Sequence, residues 1–358
     1  MQRRSFLKKS GVLAAGAGLR NFIPVAGPFS PEDFMYGRVP VDKKLNAAWV
    51  RSLYERGSAT IYRKSKNELQ YIGMPVGGIC CGTLYVGGDG RLWVWDIFNQ
   101  NQLGAVNKVL PVQLEMFNVK EINNVFGTLY IEPATNKDLL QQGFALIIKQ
   151  KDRTVIKRFH QDDWEEIIFE ATYPLATIKY MDQSVPVEVT LQAFSPFIPG
   201  NAQDSGLPAT IQSFSIKNIS KDPVSVEIVG WLENKMLLYT EKEKSGFRRK
   251  NTALNISRGK GVLLDVHILN DELLKSPDYG NMCLAGLGPD TIPIEDMADS
   301  KDENIRELKK NIGFSEASPV AAVSTSYLVD PDQEVRADYI VSWFTPNISF
   351  TEKPQGMT

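Results

Sequence analysis

Trp93, Trp95, Asp96 and Asp204 are the residues of this 358-residue chain whose types and spacing could do chemistry. Two tryptophans two apart in a strand share one face, where indole rings stack on pyranose rings or anchor an interface. Core packing is the commoner fate of such a pair. Asp96 follows them directly, and Asp204 sits in the run Gln-Asp-Ser-Gly-Leu-Pro. Carboxylates among Gly, Ser and Pro most often cap turns by accepting from backbone N–H groups. The alternative for both is contact with a sugar or with another domain. Hydrolysis of a glycoside needs two carboxyls, about 5–5.5 Å apart for retention or about 6.5–9.5 Å for inversion. With 42 acidic residues such a pair can always be drawn, but no motif singles one out. No residue is therefore assigned a catalytic role.

Other chemistries have less to work with. The chain has only two histidines, His160 and His267, far apart in sequence, which argues against a His-rich metal site or a His-based triad. Three cysteines, with Cys80 and Cys81 adjacent, allow at most one ordinary disulfide, using Cys283. No Cys-x-x-Cys spacing exists, so neither a zinc knuckle nor a thioredoxin-type centre is expected. Vicinal cysteines in a glycine-rich block read as small hydrophobes rather than nucleophiles. No metal and no cofactor are expected. A phosphate loop needs Lys-Ser or Lys-Thr after its last glycine and then a helix. Gly82-Thr83-Leu84 has no lysine and runs into a strand pattern. A net charge of −2 gives no case for nucleic acid or an anionic membrane as partner.

The elements that must position these residues are mostly strands. Residues 73–99 hold turns from Gly73 to Gly82, then a hairpin: Leu-Tyr-Val, a Gly-Gly-Asp-Gly turn at 87–90, and Leu-Trp-Val-Trp-Asp-Ile-Phe. Strand patterns follow at 109–119, 144–150, 165–173, 185–194, 209–219, 320–329 and 334–346. Residues 42–56 carry Leu45, Ala48, Trp49 and Leu53 at helical spacing, with Gly57 as a stop. Residues 297–312 read as a polar surface helix with Ser300 as its cap. Residues 241–250 read as a charged loop. The expected fold is all-β: a large two-sheet antiparallel β-sandwich with a few peripheral helices.

Two stretches carry a resemblance to a known family. The block at 73–99, and at 171–220 the Tyr-Pro pair, the Ser-Pro-Phe-Ile-Pro run and the Asp-Ser-Gly-Leu-Pro-Ala run, resemble in the same order the N-terminal domain of glycoside hydrolase family 116. That family includes the non-lysosomal glucosylceramidases and bacterial β-glucosidases. The resemblance covers roughly residues 45–350. It implies a β-sandwich domain at 42–350, a linker at 28–41, and at 351–358 the start of a linker to a catalytic (α/α) barrel that carries the nucleophile and acid/base. The implied partner is that barrel, with a β-glucoside or glycolipid as substrate, and this chain alone is expected to be inactive. It is also expected to expose an apolar patch for the barrel, bordered by Trp93 and Trp95 or by the loop at 196–208. A stand-alone secreted carbohydrate-binding module is the alternative, and a complete small hydrolase the third reading.

The N-terminus adds a location. Arg3-Arg4 followed by Ser-Phe-Leu-Lys and the apolar run Gly-Val-Leu-Ala-Ala-Gly-Ala-Gly-Leu resembles a bacterial twin-arginine export signal over residues 1–27. The apolar part is too short to span a bilayer. The mature protein is expected outside the bacterial cytoplasm, in the periplasm or beyond, with no membrane span.

Overall fold

The computed structural model describes residues 46–52, 59–99, 139–150, 153–242, 245–314 and 317–347. The export signal with Arg3 and Arg4, the linker at 28–41, the strand expected at 109–119 and the segment 351–358 lie outside the described residues. The chain divides into two compact units, Met1–Ala59 and Thr60–Thr358. In the first, α1 (Ala47–Ser52) is the described part of the helix expected over 42–56. It is capped by Asn46, whose side-chain oxygen accepts from the backbone N–H groups of Ala48 and Trp49 at 2.9 and 3.1 Å.

The second unit is built from antiparallel strands. Its largest sheet runs, in spatial order, β1 (Thr60–Arg63), β7 (Glu166–Thr172), β8 (Leu175–Met181), β9 (Val187–Phe194), β10 (Ala209–Asn218), β17 (Glu334–Phe344), β14 (Asn281–Leu287), β13 (Gly259–Ile268) and β12 (Phe247–Ile256). A five-stranded sheet runs β15 (Ile292–Ile294), β16 (Val320–Val329), β11 (Val224–Glu233), β5 (Gln142–Gln150) and β6 (Arg153–Arg158). A third sheet holds β2 (Met74–Pro75), β3 (Thr83–Val86) and β4 (Leu92–Asp96), the hairpin expected from the glycine block with one short strand added.

Residue periodicity explains which sheet sits where. Along β9, Val187, Val189, Leu191 and Ala193 are buried while Glu188 is exposed and the residues between are half-buried. Such alternation is what a sheet with one packed face produces. β5 and β11 instead read as near-continuous apolar runs, because their sheet is covered on both faces. Leu146, Ile148, Ile228 and Val323 enter the main core shared with the nine-stranded sheet. Ala145, Ile147, Val229 and Trp231 point the other way and meet Ile305 and Leu308. Those two lie on α3 (Glu303–Ile312), and burying each is worth roughly 1.5–3 kcal/mol.

Two local expectations are corrected. The helix expected over 297–312 is a short 3-10 turn at Met297–Asp299 followed by α3, and the cap of α3 is Asp302, not Ser300. Asp302 accepts from the N–H groups of Asn304 and Ile305 at 2.8 and 3.2 Å, a stronger acceptor at the positive end of the helix than a hydroxyl. The helix is also amphipathic rather than polar throughout, since it covers the second core. Within 241–250, the charged loop gives way to strand at Phe247. Its charges suit an edge strand: Arg248 and Lys250 face solvent, while Arg249 turns in to Glu241 at 2.8 Å and to the Met236 carbonyl at 3.0 Å.

Candidate functional site: the glycine block and the loop it supports

The turn between β3 and β4 is fixed to the large sheet by one buried tyrosine. Tyr180 Oη donates to the Asp89 carbonyl at 2.8 Å, and burial, with the Asp89 carboxylate second, pushes its pKa well up. The Asp89 carboxylate takes Arg91 Nε at 2.9 Å. Gly90 sits at φ +89°, and a Cβ there would lie 2.1 Å from Tyr180 Oη, so the turn demands glycine for conformation and for space.

The turns at 73–82 close onto the loop at 196–208. A Cβ on Gly78 would stand 2.1 Å from the Leu207 carbonyl oxygen, so the two backbones touch. Around that contact the Ile79 N–H donates to the Ser205 carbonyl at 2.8 Å, and Cys81 Sγ donates to the Gly206 carbonyl at 2.7 Å. Trp343 Nε1 at the end of β17 donates to the Cys81 carbonyl at 2.6 Å. Ser195 Oγ shares its proton between the carbonyls of Val76 and Ala209, at 2.6 and 2.7 Å. The block's backbone is thus satisfied by the sandwich body; most of its apolar side chains are buried in the core, and Ile79 faces outward.

Ile79 belongs to a patch. Ile79, Phe197, Ile198 and Leu207 are 43–49% exposed, and Tyr173, whose ring meets Phe197 at 5.9 Å, is 59% exposed. The loop is tied at Ile198, whose N–H donates to Ser205 Oγ at 2.8 Å. The apolar side chains therefore sit on a braced loop rather than a loose one.

The four sequence candidates are distributed unevenly around this site. Trp95 is buried in the main core. Trp93 is half-buried, edge-on to Tyr85 with ring centroids 5.5 Å apart. Its indole nitrogen is buried without a hydrogen-bond partner among the described residues. Val94 between them takes φ +54°, and the β3–β4 register shifts between Thr83 and Tyr85, so simple alternation fails there. Asp96 is exposed, across the ladder from Thr83. Asp204 is exposed in the short helix α2 (Ala202–Ser205) of the 196–208 loop, where its carboxylate accepts from Asn201 Nδ2 at 2.6 Å and its N–H donates to Asn201 Oδ1 at 3.1 Å. Asp204 shares its loop with Phe197, Ile198 and Leu207 of the patch; among the described residues no hydrogen bond joins Asp96 to Asp204. Tyr173, Phe197 and Ile79 lie within the two stretches that carry the family resemblance, and the loop at 196–208 is an expected border of the patch, but no spacing marks the three as a group because folding brings them together.

The cysteines are unbonded. Cys80 is exposed, unlike the buried position expected of it. Burial and the neighbouring Cys80 raise the Cys81 pKa, and burial pushes Cys283 up to about 11, so neither is poised as a thiolate. Among the described residues no cluster of His, Cys, Asp and Glu could hold a metal ion, and no helix is long and apolar enough to cross a membrane.

These features define a class: a large antiparallel β-sandwich whose glycine-rich block is fastened to the sheets and contributes one residue, Ile79, to an exposed apolar patch. The model of the family described as "beta-glucosidase 2, glycosyl-hydrolase family 116 N-term" matches residues 73–357, and the chain belongs to that family. No curated protein matches it. Among solved structures it is similar to a candidate kojibiose phosphorylase from the human microbiome, at 10% identity over 56% of this chain and 21% of that one, with a TM-score of 0.29. A polysaccharide lyase shares 10% identity over 60% of this chain and 27% of that one, with a TM-score of 0.31. A galactose mutarotase related enzyme from Lactobacillus acidophilus shares 11% over 56% and 79%, with a TM-score of 0.27. The chain spans about a fifth to a quarter of the first two. At these scores none of the three bears on function.

Proposed function

We propose that this chain is the non-catalytic N-terminal domain of an exported β-glucosidase-type hydrolase and that its patch seats the catalytic (α/α) barrel. The observation that carries the reading is the assembly of that patch. Ile79 comes from the glycine block, and Tyr173, Phe197, Ile198 and Leu207 from the 171–220 stretch, the two segments in which the family resemblance lies. Large apolar groups held outward on a braced loop mark an interaction site. The family is defined by its place N-terminal to the rest of a hydrolase, so the remainder of the same protein is the occupant. The domain braces the barrel, and a β-glucoside or glycolipid is cleaved on the barrel's own carboxyls. Arg3 and Arg4, leading a short apolar run, support export.

Mixing this chain with a separately produced catalytic barrel tests the seat. Aryl β-glucoside turnover by the mixture should exceed that of the barrel alone. Ile79→Asp and Phe197→Asp should abolish the gain while leaving the unfolding midpoint of the domain in place. A gain that survives both substitutions, or no gain, defeats the reading.

A further inference from the structure

A cleft of about 520 Å3 opens between the start of β5, the end of β6 and the end of β11, and no residue of the apolar patch lines it. Its walls include Arg91, Arg158, His160, Trp231, Glu233 and Lys235. That volume is within the range of about 300–1,000 Å3 in which proteins hold small molecules.

The charges lining it come with partners. Arg91 Nε stands 2.9 Å from Asp89 Oδ2, Arg158 Nη2 2.6 Å from Asp163 Oδ1, and Lys235 Nζ 2.9 Å from Glu233 Oε1. Among these described residues three cations meet three anions. Burial, then the Arg91 charge, lower the His160 pKa against the opposing pull of Asp89 and Asp162, so the imidazole is uncharged at neutral pH. An anion entering the cleft meets no net positive field from this set.

The same groups are held in place. Glu233 Oε2 accepts from the Gln141 N–H at 2.8 Å, Lys235 Nζ donates to Ser318 Oγ at 3.1 Å, and Arg158 makes a second bond to Asp163 at 2.9 Å. Donors and acceptors fixed beforehand, beside the largely buried indole of Trp231, suit a ligand that presents hydroxyls on a partly apolar ring. We propose that this cleft binds a neutral saccharide of one or two sugar units, at a site separate from the apolar patch. The proposal does not rest on the docking of a barrel.

The chain's two histidines make the test direct, because only His160 lines the cleft. The full chain is titrated with glucose, with cellobiose and, as the anion probe, with inorganic phosphate, following the histidine ring protons by NMR and the heat of binding. Saturable binding of either sugar that moves the His160 signals and leaves those of His267 in place is expected. Lys235→Met or Glu233→Gln should weaken it about tenfold, and Phe197→Asp should leave it unchanged. Failure of the docking experiment would not alter this result. Saturation by phosphate but by neither sugar overturns the proposal. So does the absence of sugar binding up to about 100 mM, or binding that leaves the His160 signals where they were.

Discussion

Tyr339 Oη, on the nine-stranded sheet, donates to the Ile228 carbonyl of the five-stranded sheet at 3.1 Å inside the main core. Sheet-on-sheet packing is otherwise non-directional, so a bond crossing the gap helps to fix how β17 lies over β11. Burial raises the Tyr339 pKa far beyond any working pH, which keeps the hydroxyl a donor.

Tyr339→Phe removes that donor and little volume. It should cost about 1 kcal/mol, seen in urea unfolding as a lower midpoint with an unchanged slope. Wild-type stability in the variant would mean that packing alone sets the sheet alignment.

Acid should weaken the domain partly through Asp182. Burial pushes its carboxyl up, but hydrogen bonds from Lys157 and Ser184 and the Lys157 charge outweigh that and bring the pKa down to about 2. Lys157 Nζ is 2.7 Å from Asp182 Oδ2 and 2.7 Å from the Asp163 carbonyl oxygen. A carboxyl depressed by folding contributes stability that is complete above its unfolded pKa, near 4, and lost as the pH falls through about 2. Asp182→Asn should therefore lose roughly 1–2 kcal/mol at pH 7 and almost nothing at pH 2. An equal loss at both pH values would assign the effect to packing.

The strand content of this domain is legible because its apolar residues alternate or run on according to how many faces are covered. β16 falls on the expected 320–329, and β9, β10 and β17 fall within two residues of the expected bounds. The Gly-Gly-Asp-Gly turn is equally readable, since only glycine tolerates the backbone at Gly90. What could not be read is tertiary. Arg248 and Lys250 look like loop residues until β13 pairs beside them. The positive φ of Val94, which gives Trp93 and Trp95 different surroundings, has no signal in a β-branched residue. The cleft draws Arg91, Arg158 and the Trp231–Lys235 stretch from three places in the chain, so no spacing announces it.

Gly78→Ala tests whether the glycine block holds the patch. The added Cβ would strike the Leu207 backbone, which cannot swing aside as a side chain would. The loop at 196–208 should detach locally. Hydrogen exchange at Ile79, whose N–H is bonded to Ser205, should rise well before global unfolding. Unchanged protection at that amide would show that the contact is dispensable.

Export should depend on the arginine pair. Replacing Arg3 and Arg4 by lysine keeps the charge but removes the residues that the twin-arginine reading requires. Fractionation of cells producing the variant should find the protein in the cytoplasm, against periplasmic or extracellular wild type. Undiminished export of the double variant would remove the location from the proposal.

The chain by itself should not hydrolyse aryl β-glucosides above background. Of the acids in family-like motifs, Asp204 is committed to its turn, bonded to Asn201 through both its N–H and its carboxylate. Asp96 is exposed at the end of β4, and no hydrogen bond among the described residues joins the two. Asp204→Asn should thus act on the fold, lowering stability by about 0.5–1 kcal/mol through a weaker turn, while Asp96→Asn on an exposed strand end should change stability by less than about 0.5 kcal/mol. Neither should alter a background rate. Turnover by the purified chain that disappears in either variant would place a catalytic carboxyl within this domain and end the scaffold reading.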